Sequence, residues 1–237
     1  MLSTLREALG RFPLATRADR VELLDSGCLS LPEVEQNLVD LARLNRLPGG
    51  TAASLDAIRR LVGTRRDARI LDAGTGQADM PIAFARQGWR TVALDPNPDV
   101  LLIARRATAS EPAIDVVEGD VRGLPFADGA FDVSHCSLLV HHLEPGEAVA
   151  ALRELGRVAR LGVVVNDLRR GLLPMAATWV TVTALGRSRV TRRDGMASVQ
   201  RAYTLAELDD LLAQAGLAIR WRSSRWMPRV VTATSRA

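Results

Sequence analysis

Apolar residues along the chain keep two rhythms: short unbroken runs that stop at glycine or aspartate, and longer stretches with helical spacing. The sharpest switch between them falls in residues 69–86, RILDAGTGQADMPIAFAR. Ile70, Leu71 and Ala73 form an apolar run, Asp72-Ala73-Gly74-Thr75-Gly76 breaks it, and Asp79 opens a helical pattern carried by Ile82, Ala83 and Phe84. A buried strand, a glycine turn and a helix in that order predict the first unit of a doubly wound α/β sheet. The alternation repeats downstream. Strands are predicted at 90–94, ending on Asp95, and at 114–118, 131–136 and 162–166, with helices at 99–106 and 147–158. Residues 217–221 and 229–234 pair as a closing hairpin across Met227-Pro228, which brings the count to seven strands.

Before the sheet, residues 1–50 read as helical. Ser30-Leu31-Pro32-Glu33 is a capping box, Val34, Leu38, Leu41 and Leu44 share one helical face, and Pro48-Gly49-Gly50 stops the helix. A second helix at 54–62 leads into the first strand. After the fifth strand the pattern changes. Residues 172–185 are nearly all apolar, and 187–196 are basic with a turn expected at Asp194-Gly195. Thr204 to Glu207 is another capping box, opening a helix that ends at Gly216.

The glycine turn is where a small molecule should sit. Glycine at 74 and 76 permits a sharp turn and close approach of backbone to ligand, and the helix that follows aims its amides at the same place. A dinucleotide site wants a small third residue where the pyrophosphate nears that helix. This chain has Asp79 there, a carboxylate facing a would-be diphosphate.

Composition narrows the partners. The 237 residues suit one domain with a modest appendage, and 47% apolar with 24% charged residues is ordinary for a soluble globular protein. All 31 basic residues are arginine, but the net charge of +4 is scattered, which argues against nucleic acid. Cys28 and Cys136 lie far apart, so a reducing compartment is the default. Three histidines, two of them adjacent, make no zinc signature, and no metal is expected. The first twenty residues lack the apolar core of a secretory signal. Residues 171–186 fall short of the ~20 a membrane span needs. A cytoplasmic protein without a membrane span is the expectation.

Asp72-x-Gly74-x-Gly76, with an acid leading it, resembles motif I of the class I S-adenosylmethionine-dependent methyltransferases. Ala78 stands where that family often has a third glycine. Residues 124–133, LPFADGAFDV, and the pair His141-His142 closely resemble ubiquinone/menaquinone-biosynthesis-type members. The resemblance covers residues 69–167 by motif and 203–234 by pattern. It implies a Rossmann-like, seven-stranded, mostly parallel sheet with helices on both faces, an antiparallel last strand and an N-terminal helical cap. Residues 1–50 would form that lid and 51–237 the methyltransferase domain, with 168–202 an insert over the acceptor site.

The cofactor implied is S-adenosylmethionine, leaving as S-adenosylhomocysteine. Its sulfonium and ammonium suit acidic surroundings. Asp72, Gly74, Thr75 and Gly76 would frame it. Asp95, followed by Pro96, would accept the ribose hydroxyls, although an aspartate there could instead cap the next helix. Asp120 would take the adenine amino group, with the Val121 amide on the ring. Cys136 and Ser137 would touch the cofactor at the end of the fourth strand. Asn45, Arg43 or the Gly49-Gly50 backbone would approach the methionine carboxylate.

Methyl transfer is an in-line displacement in which the protein chiefly aligns the reactants and excludes water. His141 and His142 are the candidate catalytic residues, one of them deprotonating the acceptor; the alternative is a histidine satisfied by backbone that holds the loop. Asp167 and Arg169 could orient an acceptor or hold the insert by an ion pair. The apolar stretch 172–185 would cover an aromatic or lipid-like acceptor, or serve as a core helix or homodimer face. Arg169, Arg170 and the 187–193 cluster could recruit an acidic group. The expected activity is O-methylation of a small, largely apolar, phenolic or quinol-like acceptor. C-methylation of a quinone precursor and a non-catalytic cofactor-binding module are the alternatives. The NPPY-like tetrad of base-amine methylases is replaced by Cys136-Ser137-Leu138-Leu139.

Overall fold

The strands of the computed structural model, which describes residues 16–19, 22–223 and 228–236, follow the apolar runs. They are β1 (Arg69–Ala73), β2 (Arg90–Asp95), β3 (Ile114–Glu118), β4 (Phe131–Ser137), β5 (Ala159–Leu168), β6 (Leu217–Arg222) and β7 (Arg229–Arg236). One sheet holds all seven in the order β3-β2-β1-β4-β5-β7-β6. The first five run parallel, and β7 lies antiparallel between β5 and β6. The helices are α1 (Leu31–Asn45), α2 (Thr51–Val62), α3 (Asp79–Ala85), α4 (Pro98–Ala107), α5 (Pro145–Val158), α6 (Leu172–Leu185), α7 (Arg189–Arg201) and α8 (Leu205–Gln214). Expectations for residues 1–15 and for Met227 lie outside the described residues.

Strand alternation sorts the core into two layers. Leu71, Ala73, Val163 and Val165 face one side, where they pack with Leu152 and Leu155 of α5 and Leu208 and Leu212 of α8. Ile70, Val133 and Val164 face the other, against Ala57 and Ile58 of α2 and Phe84 of α3. Each valine, leucine, isoleucine or phenylalanine among them contributes about 1.5–3 kcal/mol by leaving water. Because β5 is covered on both faces, its run Val163-Val164-Val165 is apolar without a break.

Two expectations need correction. β5 extends beyond 162–166: Ala159 pairs with Phe131 of β4, and Asp167 and Leu168 pair with Val230 and Arg229 of β7. The turn expected at Asp194-Gly195 is absent, and α7 runs through it. The Asp194 carboxylate is buried, where it accepts the Leu23 and Leu24 amides at 3.1 and 3.2 Å. Gly195 faces α6, where a Cβ would stand 2.8 Å from Val182 Cγ1. The glycine is a close-packing residue between helices, not a breaker.

Helix α1 is tied to this helical pair. Val34 and Leu38 of α1 pack on Val100 and Ile103 of α4. The buried Asp40 of α1 accepts the Arg187 and Ser188 amides at 2.8 and 2.7 Å and the Thr191 hydroxyl at 3.1 Å. On the outer side of α6, Leu172, Leu173 and Val180 are exposed. No helix among the described residues is long and apolar enough to cross a membrane.

Candidate active site

The carboxyl edge of the parallel strands opens into a cavity of about 1270 Å³, lined also by α1, α6 and α7. A single small-molecule site typically measures ~300–1,000 Å³, so there is room for a donor and an acceptor together. The glycine turn forms its floor. Gly74 and Gly76 take φ of 70° and 55°, the left-handed region that favours glycine. The amides of Gly74 and Thr75 donate to the Leu94 carbonyl at 2.8 and 3.1 Å, which folds the turn onto the tip of β2. Ala78 also lies in the left-handed region, at φ 64°. So does Leu138, at φ 53° just beyond β4, and each such residue costs about 1–2 kcal/mol.

The structure brings most of the cofactor-binding candidates to this cavity. Asp95 ends β2 beside the turn; its carboxylate accepts the Gly76 amide at 3.4 Å and the Asn97 amide at 3.0 Å. Asn97, not Asp95, caps α4, its side chain accepting the Asp99 amide at 2.9 Å. Pro96, Thr75, Asp120, Val121 and Ser137 line the same wall. Asp120 is half exposed and gripped by Arg122, with Nη2 donating at 2.6 Å, and this contact holds its carboxyl below the ordinary range. Cys136 does not line the cavity. It alternates to the opposite face and packs in the core against the α5 side, where burial pushes its thiol up.

Asp72 lines the cavity but is engaged within the fold. It accepts the Thr75 hydroxyl at 2.8 Å and meets His135 Nδ1 at 2.6 Å, directly across the β1–β4 register. His135 Nε2 lies 2.9 Å from Ser54 Oγ, which accepts from Asn166 Nδ2 at 2.8 Å. Asn166 Oδ1 in turn accepts from Arg229 Nε at 2.9 Å. This chain of buried polar groups, each satisfied by the next, locks the turn to α2 and to β7.

It ends in a pair of opposite charges at the cavity. Arg229 donates to Ser137 Oγ at 2.6 Å and to Asn45 Oδ1, and Asn45 Nδ2 donates to Asp79 Oδ2 at 2.9 Å. Burial pulls the Arg229 guanidinium down to about 10, against the pull of Asp167 and Asp79, so it stays charged at neutral pH. Burial likewise pushes the Asp79 carboxyl up, opposed by the Asn45 hydrogen bond. Asn45 therefore lines the cavity as a bridge between Arg229 and Asp79. Arg43 turns away to Asp40 at 2.8 Å, and the Gly50 carbonyl is taken by Asn166. Arg229 and Asp79 were not among the sequence candidates for binding.

At the other end of the cavity lie His141 and His142, on a 3-10 turn after β4. His141 is buried. Its Nδ1 lies 2.6 Å from Asp167 Oδ1, its amide donates to Asp167 Oδ2 at 3.1 Å, and its Nε2 lies 3.5 Å from Glu22 Oε1. Glu22 accepts the Ser198 hydroxyl at 2.8 Å and stands 3.9 Å from His142 Nε2. Burial alone would lower the His141 pKa, but Asp167 and Glu22 raise it to about 10. Burial would raise that of Glu22, but the two histidines and Ser198 bring it down to about 2. His141 thus sits between two carboxylates that favour its protonated form. Glu22 was not anticipated, because nothing near it in the sequence marks it.

Several acceptor-side expectations change. Asp167, expected to orient an acceptor or hold the insert by an ion pair, instead grips His141 through its ring and its amide. Arg170 is buried and donates to the Ala202 carbonyl at 2.7 Å and Glu207 Oε1 at 2.6 Å, holding the start of α8. Arg187, Arg189, Arg192 and Arg193 are exposed and do not line the cavity. Arg201 does line it, and donates to the His142 carbonyl at 2.7 Å.

A methyltransferase-domain family model matches residues 70–162. The chain is similar to the malonyl-(acyl-carrier protein) O-methyltransferase of Pseudescherichia vulneris, 31% identical over 154 residues, 63% of this chain and 59% of that protein. It spans less than two thirds of that relative's length. It is 35% identical over 162 residues to the demethylmenaquinone methyltransferase of Thermobifida fusca, covering 66% of this chain and 68% of that protein. Its fold resembles a crystal structure of a SAM-dependent methyltransferase from Aquifex aeolicus, with TM-score 0.63 and 15% identity over 87% of this chain and 98% of that one. The chain belongs to the class I S-adenosylmethionine-dependent methyltransferases. S-adenosylmethionine is the cofactor that family uses, and the residues on the cavity wall suit it.

Proposed function

We propose that this protein transfers the methyl group of S-adenosylmethionine to an oxygen of a small, largely apolar, phenolic or quinol-like acceptor. The observation that carries the reading is the polarity of the cavity's two ends. The adenosine lies against Asp95, Pro96, Asp120 and Val121. The amino-acid end, a zwitterion, lies between Asp79 and Arg229, ammonium to carboxylate and carboxylate to guanidinium. The sulfonium then points toward Leu139 and the histidine cluster, where Leu41, Ala177 and Val182 make the wall apolar. We further propose that α1 and the 168–202 segment together cover the acceptor.

An acceptor phenol, with pKa near 10, must lose its proton before it is a good nucleophile. The Glu22–His141–His142 cluster is the polar group placed to assist that loss. The oxygen lone pair then attacks the methyl carbon as the C–S bond breaks. Its electrons pass to sulfur, and neutral S-adenosylhomocysteine leaves. Similarity to a demethylmenaquinone methyltransferase favours a second reading, carbon methylation of a quinol ring. The test is transfer of labelled methyl from S-adenosylmethionine to a panel of phenols and quinols, with NMR of the products. An O-methyl product supports the first reading and a ring methyl the second. Cofactor binding without transfer to any member would support a non-catalytic binding module.

A further inference from the structure

Two imidazoles and a carboxylate converge at the acceptor end of the cavity from positions over a hundred residues apart. Glu22, His141 and His142 each offer one ligand atom, and these atoms lie within 4.8 Å of one another, the one such group among the described residues. Ligand atoms around a tetrahedral zinc, at ~2.0–2.1 Å from the metal, stand about 3.3 Å apart. Glu22 Oε1 at 3.5 Å from His141 Nε2 is already close to that, and the other carboxylate oxygen, Oε2, stands 3.9 Å from His142 Nε2.

The surroundings are those of a ligand set. Metal-binding histidines commonly give their other ring nitrogen to a carboxylate, which fixes the ring and its tautomer. Asp167 takes His141 Nδ1 in this way at 2.6 Å and leaves Nε2 toward Glu22, where a bound cation would take the place of the Nε2 proton, released to solvent. Ser198 aims the Glu22 carboxylate from the opposite side at 2.8 Å. Arg17 and Arg201 hold the His141 and His142 carbonyls, fixing the backbone that carries both rings. Two buried carboxylates, Glu22 and Asp167, face the imidazoles, and their combined field favours a cation. All three ligand residues line the cavity, so the remaining coordination positions open onto the acceptor space.

We propose that Glu22, His141 and His142 bind one first-row divalent cation. Two imidazoles and one carboxylate suit zinc or ferrous iron better than magnesium or calcium. Resting on the methyltransferase reading above, the cation would hold the acceptor oxygen and, as a Lewis acid, favour its ionised form. Adjacent histidines give no recognised metal spacing and the third ligand is distant in sequence, so the chain's motifs did not announce the site.

The test uses the 237-residue chain without an affinity tag, stripped by chelator and titrated with zinc chloride in a calorimeter. One equivalent should bind with saturation. Glu22→Gln and His142→Gln should each weaken binding by at least ~10²-fold, and Asp167→Asn by the ~10–100-fold typical of an outer-sphere partner. S-adenosylmethionine titrations of the same samples report whether each variant is folded. An anomalous difference map from a zinc-soaked crystal should place the ion between the three side chains. No saturable binding at millimolar zinc, binding unchanged in both Gln variants, or an ion located elsewhere would overturn the proposal. Cofactor binding without zinc binding sinks only the metal site; zinc binding without cofactor binding sinks the methyltransferase reading instead.

Discussion

Replacing Asp79 by asparagine changes one charge at the end of the cavity assigned to the cofactor's amino acid. Asparagine keeps nearly the same shape and can still accept the Asn45 amide, which now reaches Asp79 Oδ2 at 2.9 Å. What it removes is the anion opposite Arg229. A hydrogen bond to a charged group is worth about 1.5–3 kcal/mol. S-adenosylmethionine should therefore bind about 10- to 150-fold more weakly to the Asp79→Asn protein. 5′-Methylthioadenosine, which keeps the nucleoside and sulfur but lacks the amino acid, should bind both proteins alike. Stability should move the other way. Burial raises the Asp79 carboxyl pKa, so folding favours its neutral form. That contribution is full at low pH and is lost as pH rises through the folded pKa. The variant escapes the loss, so its melting temperature relative to wild type should climb as pH increases from about 3 to about 7. Calorimetry with both ligands and a pH series of melts are the assays. Equal losses for the two ligands, or none for S-adenosylmethionine, would refute the placement of the amino-acid end.

Other perturbations test other walls of the site. Asp95→Ala should weaken cofactor binding by about 1–3 kcal/mol through lost charge-assisted hydrogen bonds; calorimetry showing unchanged affinity would remove Asp95 from the ribose site. Gly74→Val should abolish cofactor binding in a folded protein, since φ is 70° and an added Cβ would stand 3.0 Å from Leu139 Cδ1; normal affinity would place the turn away from the ligand. Ala78→Gly relieves a left-handed alanine, and should leave the protein as stable or up to about 1 kcal/mol more stable by denaturant titration. Of the two thiols, the exposed Cys28 should react with a chromogenic disulfide in the native protein, and the buried Cys136 only after unfolding.

Local pattern was enough for the sheet, because each strand carries its own apolar run and each turn its own glycine or aspartate. The capping boxes at Ser30 and Thr204 likewise open α1 and α8 as their spacing predicts. Asp194-Gly195 misled because composition cannot tell a loop glycine from one that lets α7 approach Val182. The turn, Asp95 and Asp120 were legible as residues of the cavity wall because each follows or closes its own apolar run at the end of a strand. Arg229, Glu22 and His135 were not. Arg229 reaches the cavity only because β7 inserts antiparallel beside β5, and Glu22 reaches His141 only through the packing of the chain before α1. His135 looked like one more residue of a buried strand, although register sets it opposite Asp72. Arg170 and the 187–193 arginines were over-read, since charge along a sequence does not say which way a side chain points.

A crystal structure of the protein grown with S-adenosylhomocysteine tests the central placement most directly. The account predicts adenosine density along Asp95, Pro96 and Val121, the amino-acid end between Asp79 and Arg229, and the sulfur turned toward the cluster of Glu22, His141 and His142. A ligand reversed in the cleft, bound elsewhere, or displaced by a dinucleotide whose phosphates sit on the glycine turn would contradict it.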